Sequence, residues 1–385
     1  MPYYHTLGKI PRKRHTQFRR ESGELYPEHL MGALGFSGPA SLLYHLTEPT
    51  RVLSTAKLAD ARVEGDADQT LRMRHFQLGD VKAAKSPSLD RTPVLFNADA
   101  TISIVRPTTT DEFHYRNAQA DEVVYISDGA GTLESEFGSF PYRSGDYVVI
   151  PRGILHRFRL AEGVTRMLVI ETPSHIRFPS RYLTQEGQLM EHAPYCERDI
   201  RPPEKLETQE ELGEFRIVVK QQDMLNDIVL DHHPLNVVGW DGCYYPWAMS
   251  IHDFEPITGS LHQPPPVHQT FQADQFVICS FTPRLFDYHP DAVAVPYNHS
   301  NVMSDEVLYY ANDEFMSRKG ITHGSLTLHP GGIPHGPHPG KVEASLKLKE
   351  TKELAVMLDT FRPLKVASDV KGVEDPDYGR SWVDG

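Results

Sequence analysis

The sequence predicts an all-β protein, a sandwich or barrel built from two copies of one β-unit, and three observations carry that prediction. Helical 3.6-residue periodicity is absent from any long window, whereas short β-branched and aromatic runs punctuated by Gly, Pro, Asn and Asp recur throughout. The 30 prolines favour turns over long helices. The segment DEVVYISDGAG at 121–131 returns as DEVLYYANDEF at 305–315, and each copy is followed by a Gly-to-His pattern of identical spacing. Gly145, Pro151, Gly153 and His156 form the first pattern, and Gly324, Pro330, Gly332 and His335 the second. Many short strands at turn-sized intervals point to a sandwich or barrel rather than a parallel α/β sheet.

Taken in order, the strand candidates are 122–127, 146–151, 165–171, 215–220, 275–281, 306–311, 325–330 and 353–358, each rich in Val, Ile, Leu, Phe or Tyr. Between 173 and 214 the pattern lapses, in a stretch holding Pro173, Pro179, Pro194, Pro202 and Pro203. The expected organisation is therefore a first β domain with its N-terminal arm at 1–172, a connector at 173–214 and a second β domain at 215–385.

At 385 residues, with 39% hydrophobic and 24% charged residues, the chain can bury a substantial core. No apolar run reaches the length of a membrane helix, and the first 20 residues lack the apolar stretch of a secretory signal, so a cytoplasmic protein is expected. A net charge of −13 argues against general nucleic-acid binding. Arg12, Lys13, Arg14, Arg19 and Arg20 form a local basic arm, read as a solvated terminal segment. Three widely spaced cysteines, Cys196, Cys243 and Cys279, make a disulfide framework unexpected. Twenty histidines permit metal chemistry.

The two copies differ where chemistry would reside. The second reads HSNVMSDE at 299–306, with His299, Asn301 and Glu306; the first reads YRNAQADE at 115–122, with Tyr115, Asn117 and Glu122. His114 is one residue out of register, and strand alternation sends it to the opposite face. A mononuclear Fe(II) oxygenase site needs two imidazoles and one carboxylate on one side of the metal, leaving positions open. Only the second copy, with His299, Glu306 and His335, supplies that set, so Fe(II) is expected there and no metal in the first half. A lone strand histidine is more often a structural hydrogen-bonder than a ligand, but three donors at matched spacings reverse that reading. Asp305 is the rival to Glu306, and only one of two adjacent strand residues can face a metal. His323, His329 and His338 are expected to pack or to orient a ligand imidazole. His262 and His268, on the Pro-rich loop GSLHQPPPVHQTF at 259–271, are the candidates for an acid or base beside the metal. Tyr297 should share a strand face with His299 and line the pocket, although core packing explains it equally well.

These stretches resemble the paired motifs of the cupins, in which a His-x-His-x(3–4)-Glu strand pair is followed by Gly-x(5)-Pro-x-Gly-x(2)-His. Asn301 at the second His position resembles the homogentisate 1,2-dioxygenase family, as do YPEHLMGALGFSGP at 26–39, VVGWDGCYYPW at 237–247, ahead of the active site, and PYNHSN at 296–301 with PHGP at 334–337, its ligand strands. The resemblance implies a double-stranded β-helix, or jelly-roll, bicupin with few short helices. It also implies an Fe(II)-dependent, extradiol-type ring-cleaving dioxygenase acting with O2 on homogentisate or a related 2,5-dihydroxyphenyl acid, and a trimer-based homo-oligomer. In this reading His262 lies nearest the family's active-site His, with His268 its competitor, and Phe315 falls near a substrate-facing Tyr of the family. A dioxygenase for another hydroquinone-like metabolite and a non-catalytic ligand-binding bicupin are the alternatives. Neither a dinucleotide-binding turn nor a cysteine cluster is present in the sequence, so the electrons for O2 are expected from an electron-rich substrate ring.

Overall fold

The structure, a computed structural model, describes residues 3–383. Among these residues there is one short α-helix, Lys341–Ser345, and the rest of the regular structure is strands and 3-10 turns. The fold is an all-β cupin-type jelly roll. All eight strand candidates are strands, from Asp121–Asp128 to Ala355–Thr360. Residues 28–60 contribute three further strands, Glu28–Leu34, Ser37–His45 and Val52–Asp60.

Three large sheets carry the architecture. One seven-stranded sheet runs from Gly138–Arg143 across His114–Asn117 to Val52–Asp60, and a second runs from Trp247–Ser250 across Asp121–Asp128 to Lys365–Val366. The six-stranded sheet runs from Gln269–Gln272 through Phe276–Phe281, Ala355–Thr360, Asp305–Tyr310 and Ser325–His329 to Arg74–Gln77. The halves exchange strands. Arg74–Gln77 pairs with Ser325–His329, Lys365–Val366 pairs with Thr92–Phe96, and Leu212–Gln221 lies parallel to His114–Asn117. Trp247–Ser250 also pairs with Asp146–Ile150 of the first half. A division at 172 and 215 thus does not follow the sheets, because local composition marks an irregular stretch but strand partners are chosen by long-range packing. The stretch 173–214 does hold short 3-10 turns at Ser180–Tyr182 and Glu197–Asp199, before the strand beginning at Leu212.

The core lies between the sheets. Tyr125 and Tyr309, one from each copy of the repeat, meet with ring centroids 6.2 Å apart, and the Tyr309 hydroxyl donates to Ser127 Oγ at 2.8 Å. Every residue of Asp305–Tyr310 is buried because both faces of that strand are covered. Alternation then sorts them: Val307 and Tyr309 join the shared core, while Leu308 and Tyr310 pack with Phe315, Cys279 and Met357 on the other face. Glu306 shares that second face.

The repeat also has a backbone cause. Gly145 and Gly324 have φ of 89° and 85°, and Gly153 and Gly332 have 83° and 93°, a left-handed conformation that glycine adopts without a Cβ penalty. The basic arm is docked rather than wholly solvated: Arg14 donates to Asp241 Oδ2 at 2.8 Å, and Arg20 donates to the Leu46 carbonyl and lies over the Tyr26 ring at 5.3 Å. No helix among the described residues is long and apolar enough to cross a membrane.

Candidate metal centre

The ligand atoms of His299, Glu306 and His335 lie within 4.8 Å of one another, the one such group among the described residues. Backbone pairing brings the two histidines together: His299 N donates to His335 O at 2.8 Å, and His335 N donates to His299 O at 2.9 Å. Their rings sit 4.3 Å apart at 65°. Glu306 enters from the neighbouring strand, with Oε2 at 3.7 Å from His299 Nε2 and 3.6 Å from His335 Nε2.

The ring orientations follow from the other nitrogen. His299 Nδ1 faces the Tyr297 carbonyl at 3.2 Å and His335 Nδ1 the Ile333 carbonyl at 3.5 Å, so a proton belongs on each Nδ1 and each Nε2 lone pair points at the common centre. His335 Nε2 is buried and has no hydrogen-bond partner, an arrangement that costs free energy unless a cation is held there. The donor set therefore fits a divalent metal.

Around the triad, one carboxylate oxygen is reserved. His329 faces Glu306 Oε1 through Nδ1 at 2.7 Å, and Arg318 lies 3.8 Å from the same oxygen, which leaves Oε2 for the shared point. Burial, with the nearby Arg318 cation, pushes His329 down to about 4, so it donates as a neutral imidazole. Burial disfavours the charged form of Glu306, but the surrounding His299, His329 and His335 imidazoles overcome it and hold the carboxyl well below its usual range. Asp305 turns away: its oxygens accept from Gly331 N and Leu364 N, both at 2.7 Å. Asp121 does the same in the first copy, accepting from Arg152 N and Ile176 N.

The first copy repeats the geometry without the ligands. Tyr115 stands opposite His156, and Glu122 is bonded through both oxygens by the Arg91 guanidinium at 2.7 and 2.9 Å. Arg91 also lies over the Tyr115 ring at 5.4 Å. Asn117 donates to Glu122 at 2.9 Å. Comparing the two copies in sequence does not find Arg91, because it comes from outside the repeated segments.

A cavity of about 520 Å³ opens onto His299 and Glu306 of the triad. His262, His268, Tyr297, Asn301 and Phe315 all line it. His268 is buried, its ring stacked on Phe281 at 4.5 Å, with Nδ1 lacking a partner. Burial, reinforced by Arg284, pushes it down to about 3. His262 is half-exposed, with Nδ1 3.7 Å from Asp287 Oδ2 and its ring against Tyr297. Tyr297 is 61% exposed, which places it at the mouth rather than in the core. Phe315 packs edge-on against Tyr310 at 4.9 Å. Of the three further histidines, only His329 reaches the triad. His323 bonds Ser127 at 3.0 Å, and His338 packs on Trp382 and bonds Ser381. Sequence reasoning misses Asp359: it pairs in register with Glu306, lines the cavity and keeps a buried, unpartnered Oδ1. A signal for it exists, since it is the counterpart of Glu171, which stands opposite Glu122.

Comparison with known proteins finds dioxygenases among the relatives of this chain. The family model for the homogentisate 1,2-dioxygenase N-terminal region matches residues 100–251. A protein of Saccharolobus solfataricus, named provisionally as a dioxygenase, is 41% identical over 99% of both chains. Homogentisate 1,2-dioxygenase of Bradyrhizobium diazoefficiens is 26% identical over 74% of this chain, which spans 65% of that relative's length. The corresponding enzyme of Dictyostelium discoideum is also 26% identical, over 70% of this chain and 64% of its own. Among solved structures, a cupin barrel protein from Leptotrichia buccalis aligns over 79% of this chain and all of its own, with 10% identity and a TM-score of 0.37. The chain is a distant member of the homogentisate 1,2-dioxygenase family.

Proposed function

We propose that this protein is an Fe(II)-dependent dioxygenase that opens the ring of a 2,5-dihydroxyphenyl compound, with homogentisate as the reference substrate of its relatives. The observation that carries the reading is the triad itself: two imidazole Nε2 atoms and one carboxylate oxygen converge, and the remaining side faces the cavity. Iron on this donor set supplies electron exchange with O2, which zinc lacks.

The chain's own residues would prepare the ring. A phenolic hydroxyl must lose its proton for the ring to become electron-rich, and His262 accepts it at Nε2. Asp287 beside Nδ1 stabilises the imidazolium that results, the usual arrangement of an oriented base. His268, held neutral by burial, resists taking a proton and instead offers Nδ1 as a hydrogen-bonding point on the cavity wall. Phe281, Leu308, Phe315 and Met357 exclude water from that wall. Ring opening breaks the bond between a hydroxyl-bearing carbon and its substituted neighbour. Both oxygen atoms enter the product, so homogentisate would yield maleylacetoacetate.

The test is oxygen uptake by the iron-loaded protein with homogentisate, gentisate and substituted hydroquinones. One O2 per ring without added reductant is expected. Absence of uptake with all of them, together with hydroxylation of an aromatic compound once a reductant is supplied, would overturn ring cleavage.

A further inference from the structure

We infer that the ring opened at this site carries a bulky apolar substituent rather than a carboxylate; the inference rests on the ring-cleavage reading above and sharpens its substrate. Size is the first ground. The cavity measures about 520 Å³. Cavities of about 300–1,000 Å³ enclose drug-sized ligands, whereas a single-ring dihydroxy acid has only about a dozen non-hydrogen atoms. A small acid leaves much of this wall uncovered.

The nature of the wall is the second ground. Val267, Phe281, Leu308, Phe315, Met316 and Met357 form an apolar surface beside the triad. Phe315 and Phe281 meet edge to face at 5.9 Å, so the surface offers aromatic faces rather than hydrogen-bond donors. An apolar group seated there gains by leaving water, and the methionines adapt to its shape.

Charge is the third ground. Two guanidiniums line the cavity, and each already faces a carboxylate, Arg318 keeping one buried nitrogen, Nε, without a partner. Arg284 lies 2.8 Å from Glu353 Oε1, and Arg318 donates to the Gly336 carbonyl at 2.8 Å and faces Glu306 at 3.8 Å. Four carboxylates, Asp287, Glu306, Glu353 and Asp359, line the same space. Burial, with Glu306 beside it, pushes Asp359 up to about 7, so a divalent cation on the triad leaves these groups with a sum between zero and one positive charge, enough for a phenolate alone, and no lysine among the described residues lines the cavity. A substrate bound as a phenolate and bearing a second anion would lack a counter-charge, and burying an unpaired charge is costly. A neutral alkyl or aryl hydroquinone fits both size and charge. Its cleavage balances without a further reactant: one ring carbon–carbon bond breaks, each of its carbons gains one oxygen atom, and O2 takes the four electrons.

The experiment compares homogentisate with unsubstituted, tert-butyl- and phenylhydroquinone on the full-length iron-loaded protein. Binding is measured anaerobically by calorimetry, and turnover by O2 uptake. Since one buried methylene in an apolar pocket is worth about 10-fold or more, tert-butyl- and phenylhydroquinone should bind at least about 10-fold tighter than homogentisate. Ile257→Trp, at the half-exposed rim, should reduce that preference for phenylhydroquinone with little effect on unsubstituted hydroquinone. Tighter binding of homogentisate than of both apolar hydroquinones overturns the inference, whether or not oxygen is consumed. Tight binding of the apolar hydroquinones without oxygen uptake upholds the cavity's preference for an apolar substituent and overturns ring cleavage itself.

Discussion

Arg91 bonds both carboxylate oxygens of Glu122, at 2.7 and 2.9 Å, at the point in the first half where the second half gathers its three ligands. Both groups are almost fully buried, with side chains 7% and 0% exposed. The guanidinium supplies there the positive charge that a metal would supply on the triad. Removing it strands a buried carboxylate, so Arg91→Met should destabilise the protein by about 3–5 kcal/mol. Denaturant unfolding of the mutant measures this, and a loss under about 1 kcal/mol would show that the pair contributes little.

One metal ion per chain is expected, bound in the second half. His335→Ala should abolish it, because a buried ligand nitrogen is lost from a three-donor set. His156→Ala should retain close to one equivalent. Elemental analysis of both variants decides the matter, and two equivalents in the unmodified protein would contradict the reading.

His329 bonds Glu306 Oε1 without belonging to the triad. Replacing such a partner of a ligand weakens metal binding by about 10–100-fold while leaving the ligands in place. His329→Leu should show that loss in a competition titration with a chelator. Metal affinity equal to that of the unmodified protein would assign His329 to packing alone.

His262→Ala should keep its metal and lose about 10²–10⁴-fold in turnover, the range of a general base. His268→Ala should act mainly on KM, since this neutral imidazole borders the cavity without a charge partner. Loss of metal in His262→Ala would instead make it a ligand or a support for one. Full activity of His262→Ala with an inactive His268→Ala would transfer the role.

Stability should fall in mild acid for a reason unconnected with the metal. Burial pushes His45 down to about 4 and His114 down to about 3, from an ordinary value of 6.5. The folded protein therefore binds fewer protons than the unfolded chain between these values, and the stabilisation is present above about 6.5 and lost as pH falls toward 4 and 3. Thermal unfolding of metal-free protein at pH 8, 7 and 4.5 should show a nearly constant midpoint over the first step and a marked drop over the second. His114→Leu should lessen the drop.

Much of the site is legible in the residues and their spacing. The identical intervals from Gly145 to His156 and from Gly324 to His335 reflect local requirements, since the same left-handed turns recur at Gly153 and Gly332. Between Glu306 and Asp305 spacing alone does not choose, and alternation settles it: Asp305 caps two backbone amides while Glu306 faces the histidines. His262 and His268 emerge together from one loop and are separated only by burial, which no spacing conveys.

The sequence by itself determined the β class, the repeat and the positions of the candidate donors, because turn glycines, strand alternation and donor types act over a few residues. Only the tertiary structure decided that Arg74–Gln77 completes the second-half sheet, that Arg91 neutralises Glu122, and that His329 and Asp359 flank Glu306. Each of these joins residues distant in sequence, and which buried charge meets which partner is fixed by how the sheets pack, a long-range outcome that leaves no periodic trace in the chain.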